Sequence, residues 1–397
     1  MRWIPYVVAV ACTLPWLSQV AMGQHPAAIA TALMTGIGIL ASAFILGWAC
    51  EVAEMDVPPA LAVSVLALVA VLPEYAVDAT FAWKAAHDPA YAGYAIANMT
   101  GGNRLLLGLG WSALLALTFL RFRAREIVLP ADMGTEISVL IVATLYAMVP
   151  VFRGSLTLFD TAVYLVLYIS YLIAASRGEE HEGEVVGPAI AMAELPTFWR
   201  RAAVLLCLFF AGSVIFVSAE PFAESLVHTG KELGVDEFFL VQWVAPFASE
   251  SPEVIVAVLM VLRGNSEQGL RTLVSSNVNQ WTLLVGTLAA VYSISAGGPA
   301  ALPMDHRQQD EVLLTAAQCV FAIAAIADLR FALWQGAVLT VLFLLQFVFA
   351  DAHRYIGFGY IALSAGILIF DRSSRDGVLS SFRTFFRMLR GRPAPSH

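Results

Sequence analysis

The sequence predicts an all-α polytopic membrane protein: two inverted five-helix repeats with an extra helix at each end, about twelve spans in all. Three observations carry that expectation. Of the 397 residues, 59% are hydrophobic and only 13% charged, with a mean hydropathy of +0.76, more apolar surface than a soluble chain can bury. Apolar windows of the roughly 20 residues that a bilayer-crossing helix needs follow one another along nearly the whole chain. And the second half repeats the first.

The windows fall at 3–22, 27–54, 58–86, 91–120, 133–151 and 156–176, then, after the polar stretch "SRGEEHEGEVVG", at 201–230, 234–263, 267–296, 309–329, 331–350 and 354–371. The first resembles a secretory signal, but "TLPWLSQVAMG" has no clean small-residue cleavage pattern, so it reads as a helix. The chain therefore divides into an extra N-terminal helix (1–26), a first repeat (27–176), a loop (177–200), a second repeat (201–350), and an extra helix with a basic tail (351–397). Arginines mark the sides. Arg2, Arg121, Arg177, Arg200, Arg263 and the tail arginines collect on one side, whereas the other holds Lys84, Arg153, Lys231, Arg307 and Arg354. Both termini and the 177–200 loop are thus expected in the cytoplasm, with the chain a multi-pass protein of the cell membrane. The tail segment "SSFRTFFRMLRGR" reads either as a basic amphipathic helix on anionic lipid or as a solvated positive flank.

The repeat shows best at two places. "LAVSVLALVAVLPEYAVDATF" and "FFLVQWVAPFASESPEVIVAVL" are apolar runs interrupted by Pro73-Glu74 and Pro252-Glu253, and the two glutamates lie 179 positions apart. Each is followed by a helix opening on a small-polar cluster, "ANMTGGNRLLLGLGW" and "TLVSSNVNQWTLLVG". An odd number of spans per unit makes the second copy enter the membrane from the opposite side. Inverted repeats with broken helices are an architecture of secondary transporters.

Proline removes a helical hydrogen bond and frees a carbonyl, which the bilayer tolerates only where it faces protein or a water-filled cavity. A carboxylate beside that kink places two kinds of oxygen together, as a hard cation requires. Two such kinks related by a pseudo-two-fold axis predict a site of Glu74 and Glu253 with carbonyls and amides around them. A packed kink alone is the other explanation of each Pro-Glu.

At these residues the chain resembles the calcium/cation antiporter superfamily, which includes the sodium/calcium exchangers. That family carries two α-repeats, each with a Thr/Ser-Ser-x-Pro-Glu helix and a Gly-Ser-Asn helix. The second repeat matches well: Ser249 and Glu250 stand at the hydroxyl positions, Glu253 is the family acid, Ser276 and Asn277 form the Ser-Asn pair, and Gly286 is the downstream glycine. The first keeps Pro73, Glu74, Asn98, Gly101 and Asn103 but has Ala70 and Val71 for the hydroxyls and Gly102 for the serine. The resemblance implies cation binding by Glu74 and Glu253, with Asn103, Asn277, Ser249 and Ser276 as neutral ligands. It also implies alternating access by sliding of the first helix of each repeat.

Two departures bear on substrate. The missing hydroxyls should weaken at least one sodium site. The site also gains Asp78, one turn after Glu74, and Glu250, one turn before Glu253, while Arg104 follows Asn103 at a depth where a charge costs on the order of 3 kcal/mol on insertion scales. Arg104 is expected to pair with Asp78 or Glu74, either as a built-in cation of the site or as a structural tie. Asp132, Glu136, Asp310 and Glu311 read as acids at helix N-termini, and Glu51, Glu54 and Asp56 as a solvated helix end.

The composition excludes other classes. No basic stripe suggests nucleic acid, and the four cysteines (Cys12, Cys50, Cys207, Cys319) have no metal-ligand spacing. There is no ATP-binding motif and no His-Glu-x-x-His, Gly-x-Gly-Asp or Gly-x-Ser-x-Gly, so an intramembrane enzyme is not expected. The expectation is a secondary antiporter in the lipid bilayer with no cofactor, its cargo inorganic cations: calcium against sodium or protons. The alternatives are a sodium/proton exchanger, or a non-transporting relative plugged by Arg104.

Overall fold

The computed structural model describes residues 2–24, 26–57, 67–177, 185–349 and 352–392; parts of the expected 58–86 span, the 177–200 loop and the tail lie outside these. The expected spans appear as helices α1 (Ile4–Met22), α2 (Ala28–Ala53), α3 (Leu72–Ala85, preceded by a turn of helix at Ala67–Ala70), α4 (Ala90–Phe122), α5 (Ala131–Arg153) and α6 (Leu158–Ala175). The second set is α7 (Thr197–Leu233), α8 (Glu237–Leu262), α9 (266–295), α10 (His306–Ile326), α11 (Leu333–Val348) and α12 (His353–Phe370), followed by α13 (Arg372–Leu389). Among the described residues, nine helices are long and apolar enough to cross a membrane.

The chain forms two compact units, and neither coincides with a sequence repeat. One comprises Met1–Phe81 with Glu180–Glu253, the other Ala82–Glu179 with Val254–His397. Each takes helices from both repeats.

In the first unit α2 lies along α7. Small residues permit the approach: a Cβ on Gly36 would meet the Phe222 ring at 2.9 Å, and Gly38 faces Ser218 and Val214. Ile45, Leu46, Ala211 and Ile215 fill the seam, and Tyr6 of α1 meets Trp48 edge-on at 4.8 Å. The outer face of α7 exposes Leu205, Phe209 and Phe216, as a lipid-facing helix does. At the end of α2, Glu51 and Asp56 are engaged with protein, contrary to the expectation of a solvated end, while Glu54 is exposed. Asp56 accepts both arms of Arg200 at 2.9 and 2.8 Å and pairs with Arg201 at 3.3 Å, while Glu51 accepts the Val186 amide at 3.2 Å. The Arg200 hydrogen bond holds the Asp56 carboxyl below the usual carboxylate range.

In the second unit the inverted symmetry is visible in its joints. The segment Glu126–Val128, between α4 and α5, pairs antiparallel with Arg330–Ala332, between α10 and α11. Ser155–Leu156, between α5 and α6, pairs with Leu302–Pro303, between α9 and α10. Each ladder joins a third–fourth connection of one repeat to a fourth–fifth connection of the other. Hydroxyl contacts repeat the rule: Thr161 of α6 donates to the Gly286 carbonyl of α9 at 2.7 Å, and Thr340 of α11 donates to the Gly108 carbonyl of α4 at 3.4 Å. The glycines leave room for this, since a Cβ on Gly108 would lie 2.5 Å from Phe343 and one on Gly286 3.0 Å from Tyr164.

Candidate cation-binding site

The Pro-Glu motifs behave differently in the two repeats. In the first, the helix breaks at Val71, between the Ala67–Ala70 turn and α3, so Pro73 and Glu74 open a new helix. In the second, α8 runs unbroken through Pro246 and Pro252. Two serines between and beside the prolines bond back to the helix: Ser249 donates to the carbonyls of Ala245 and Pro246, both at 3.3 Å, and Ser251 donates to Phe247. Such back-bonding serines let a helix bend without parting. The first repeat, with Ala70 and Leu72 at those two positions, has no hydroxyl to do so.

Two carboxyl groups, Glu74 and Glu250, meet in the first unit, with Asp78 and Glu253 farther off but within electrostatic range. Glu74, Asp78 and Glu250 are buried. Glu74 shares a hydrogen bond with Glu250 and stands in the field of Asp78 and Glu253, and Glu250 acts on Glu253 in turn. The spacing accounts for this: Glu74 and Asp78 are four apart on α3, Glu250 and Glu253 three apart on α8, so each pair shares a helix face. Two bare carboxylates at hydrogen-bond range repel, so this contact calls for a proton or a cation between them. Glu253 keeps a buried Oε2 without a hydrogen-bond partner. Among the described residues no three His, Cys, Asp or Glu side chains converge as a resident metal centre would.

The second unit gathers the neutral candidates. Asn277 donates its amide to Asn103 Oδ1 at 3.4 Å, and Asn103 donates to the Met99 carbonyl of its own helix. Asn103, Asn277, Ser276 and Asn98 are all buried. Ser276 Oγ and Asn277 Oδ1 have no hydrogen-bond partner among the described residues, leaving two oxygens in an environment where unpaired polar atoms are costly. In both repeats the helix switches to a wider i→i+5 coil three residues after the asparagine, at Leu106–Trp111 and Gln280–Leu284. Such π segments gather at functional sites.

Arg104 adds an acid to the sequence reading. It forms a buried ion pair with Glu311 of α10, at 2.5 Å, a partner the sequence did not suggest. A helical side chain leans toward its helix's N-terminus, and this carries the guanidinium back along α4 toward the start of α10. Glu311 in turn meets His353 Nδ1 at 3.0 Å, whose Nε2 faces the Gln346 carbonyl at 2.8 Å. Gln318 donates to the Arg104 carbonyl at 3.2 Å, where α4 begins to widen, and Gln346 donates to Gln318 at 3.3 Å. Glu311 is therefore an interior acid, six residues into α10, rather than a helix-end one. Sequence reasoning missed His353, Gln318 and Gln346, although Glu311, Thr315 and Gln318 form a polar stripe at i, i+4, i+7 of a buried helix. The mate of Glu311 in the first repeat is Glu136, which with Asp132 faces Arg271 of α9, the Asp132 contact being 2.7 Å.

With this geometry in place, comparison with known proteins decides the family. The model of the sodium/calcium exchanger protein family matches residues 27–177 and 203–350. The chain belongs to that family. As an exchanger of this family it is a membrane transporter of inorganic cations and not an enzyme. Among solved structures it is similar to an H+/Ca2+ exchanger, CAX, at 42% identity over 98% of each chain with a TM-score of 0.94. The fold alone is shared with native YfkE, at 15% identity, 90% of this chain, 99% of that one and a TM-score of 0.63. It is shared too with the sodium-calcium exchanger NCX_Mj, at 17% identity, 80% and 96% coverage and a TM-score of 0.52. No curated protein sequence matched the chain.

Proposed function

We propose that the protein exchanges calcium for protons by alternating access. The observation that carries the reading is the hydrogen-bonded Glu74–Glu250 pair with Asp78 and Glu253 around it. Such a cluster is stable when it holds protons and equally when it holds a divalent cation, and unstable when it holds neither. Protons and calcium therefore compete for the same oxygens, and that competition is the physical basis of antiport. The similarity to an H+/Ca2+ exchanger supports the choice of ions.

Glu74 and Glu253 are assigned as the principal cation ligands, Glu250 and Asp78 as proton-carrying neighbours, and Asn103, Asn277, Ser276 and Ser249 as neutral oxygens. Pro73 and Pro252 position the acids, and Asn98 and Arg104 modulate the site. The seam between α2 and α7, lined by Gly36 and Gly38, suits the sliding that exposes the cluster to each side in turn. The protein is assigned to the cell membrane with both termini cytoplasmic, from the arginine bias.

A second reading, sodium against protons, draws on Ala70 and Val71, which remove the first repeat's hydroxyl ligands. Calcium binding to the purified exchanger at a series of pH values separates the two. Half-saturating calcium should rise as pH falls in the wild type, and binding should be lost in Glu74→Gln and Glu253→Gln. Calcium binding indifferent to pH sinks the proton-competition scheme; no calcium binding at any pH, with sodium binding instead, favours the second reading.

A further inference from the structure

We propose that α13 is a membrane-surface helix whose arginines bind anionic phospholipid headgroups. The helix has three faces. Ser374, Ser381, Thr384 and Met388 are buried against the second unit. The approach is close: a Cβ on Gly377 would lie 2.0 Å from the Ala327 carbonyl oxygen, and one on Gly134 3.0 Å from the Ser381 Cα. A second face, displaced around the helix at 3.6 residues per turn, carries Leu379, Phe382, Phe385 and Phe386. Leu379 is 56% and Phe386 53% exposed. The third face carries Arg372, Arg383, Arg387 and Arg390, with Asp376 paired to Arg372 at 3.5 Å, while the exposed Arg375 shares the second face with Phe382 and Phe386, seven and eleven residues on.

This inverts the order of a soluble amphipathic helix, which buries its large apolar residues and exposes its small polar ones. Here protein covers Ser374, Ser381 and Thr384, while Leu379 and Phe386 stay uncovered and Phe382 and Phe385 are half-buried. An environment that receives an apolar face and an arginine face side by side, along one helix, is the headgroup–acyl boundary. Location supports the same occupant. α12, a membrane-spanning helix, ends at Phe370, and α13 begins at Arg372, so its first turn lies within two residues of where the chain leaves the apolar layer. Both ends are tied down at that level: Asp371 caps the first turn through the Ser373 amide at 2.9 Å, and Arg177, just past the end of α6, donates to the Leu389 carbonyl. The arginine face has the charge that anionic lipid complements, at about 1 kcal/mol per basic residue near such a surface.

The test uses the full-length exchanger with Cys12, Cys50, Cys207 and Cys319 replaced by alanine and one spin label at Phe386→Cys or Ser380→Cys. The protein is reconstituted in phosphatidylcholine vesicles with and without phosphatidylglycerol. Collision with oxygen against collision with a water-soluble nickel chelate reads depth. The label at 386 should favour oxygen as interfacial residues do, and the label at 380 should favour nickel. Anionic lipid retained on the purified protein should fall in the Arg372, Arg383, Arg387 and Arg390→Gln variant. A label at 386 as wet as that at 380 overturns the proposal. So does a label shielded from both reagents, which would mark a protein partner or a second copy on this face. Interfacial depth with lipid retention unmoved by the arginine variant overturns the headgroup assignment.

Discussion

Asn277 donates its side-chain amide to Asn103 across 3.4 Å, although the two stand 174 positions apart at matching places in the two repeats. A residue that touches its own pseudo-symmetric mate must lie beside the axis relating them. The axis of the inverted repeat therefore passes between these asparagines, and the π segments that follow each by three residues sit symmetrically about it. Asn277→Ala removes one amide from this pair and frees Asn103 Oδ1 from its donor. About a tenfold rise in half-saturating calcium is expected, the equivalent of one hydrogen bond of ~1.4 kcal/mol, read from calcium titration at fixed pH. An unchanged titration removes Asn277 from the ligand set.

Breaking the Arg104–Glu311 pair leaves an uncompensated buried charge, which costs about 3–5 kcal/mol. Glu311→Gln should lower the thermal unfolding temperature of the solubilised protein sharply. Replacing both partners by leucine should recover much of that loss, because the lone charge is gone. Arg104→Gln should gain no cation binding, since the guanidinium is already neutralised by Glu311; a gain would revive the reading in which Arg104 plugs the site.

Gly108 is a packing requirement of the α4–α11 contact. Gly108→Ala would drive a methyl to 2.5 Å from Phe343, an overpacking that typically costs 1–3 kcal/mol. The variant should be less stable, and Phe343→Ala added to it should relieve the clash. Failure of the pair to couple in a double-mutant cycle contradicts that contact.

The Asp56 carboxyl is lowered chiefly by its hydrogen bond to Arg200, so its sign is that of a depressed acid. Its contribution to stability is fully present above the unfolded value of about 3.9 and fades as pH falls through the lower folded value. Asp56→Asn should therefore melt earlier than the wild type at neutral pH, with the gap closing toward acid. The gap should be small, since Asp56 lies near the surface and solvent screens the pair. A gap that widens on acidification would show the assignment to be wrong.

What could be read from the chain depended on the distance over which each cause acts. Glu74 and Glu253 were visible because a Pro-Glu inside an apolar run is a local contradiction, and the repeat doubled it. The helices were visible because lipid dictates their length and composition, with Ile4–Met22 and His353–Phe370 close to the expected 3–22 and 354–371. Arg104–Glu311 was not visible: the sequence shows two costly charges 207 positions apart, and the nearer acids on α3 appeared the natural partners. The break at Val71 beside an unbroken α8 was concealed by the Pro-Glu that the two repeats share. The π segments have no common signature in "LLGLGW" and "QWTLL", of which only the first carries the glycines that weaken a helix.

The most direct test of proton-coupled calcium exchange is calcium flux in proteoliposomes under an imposed pH gradient, and separately under a sodium gradient, for the wild type, Glu74→Gln and Glu253→Gln. The account predicts calcium movement driven by the pH gradient, none driven by sodium, and loss of movement in both variants. Calcium driven by sodium alone, or proton-driven calcium movement that survives Glu74→Gln and Glu253→Gln, would contradict it.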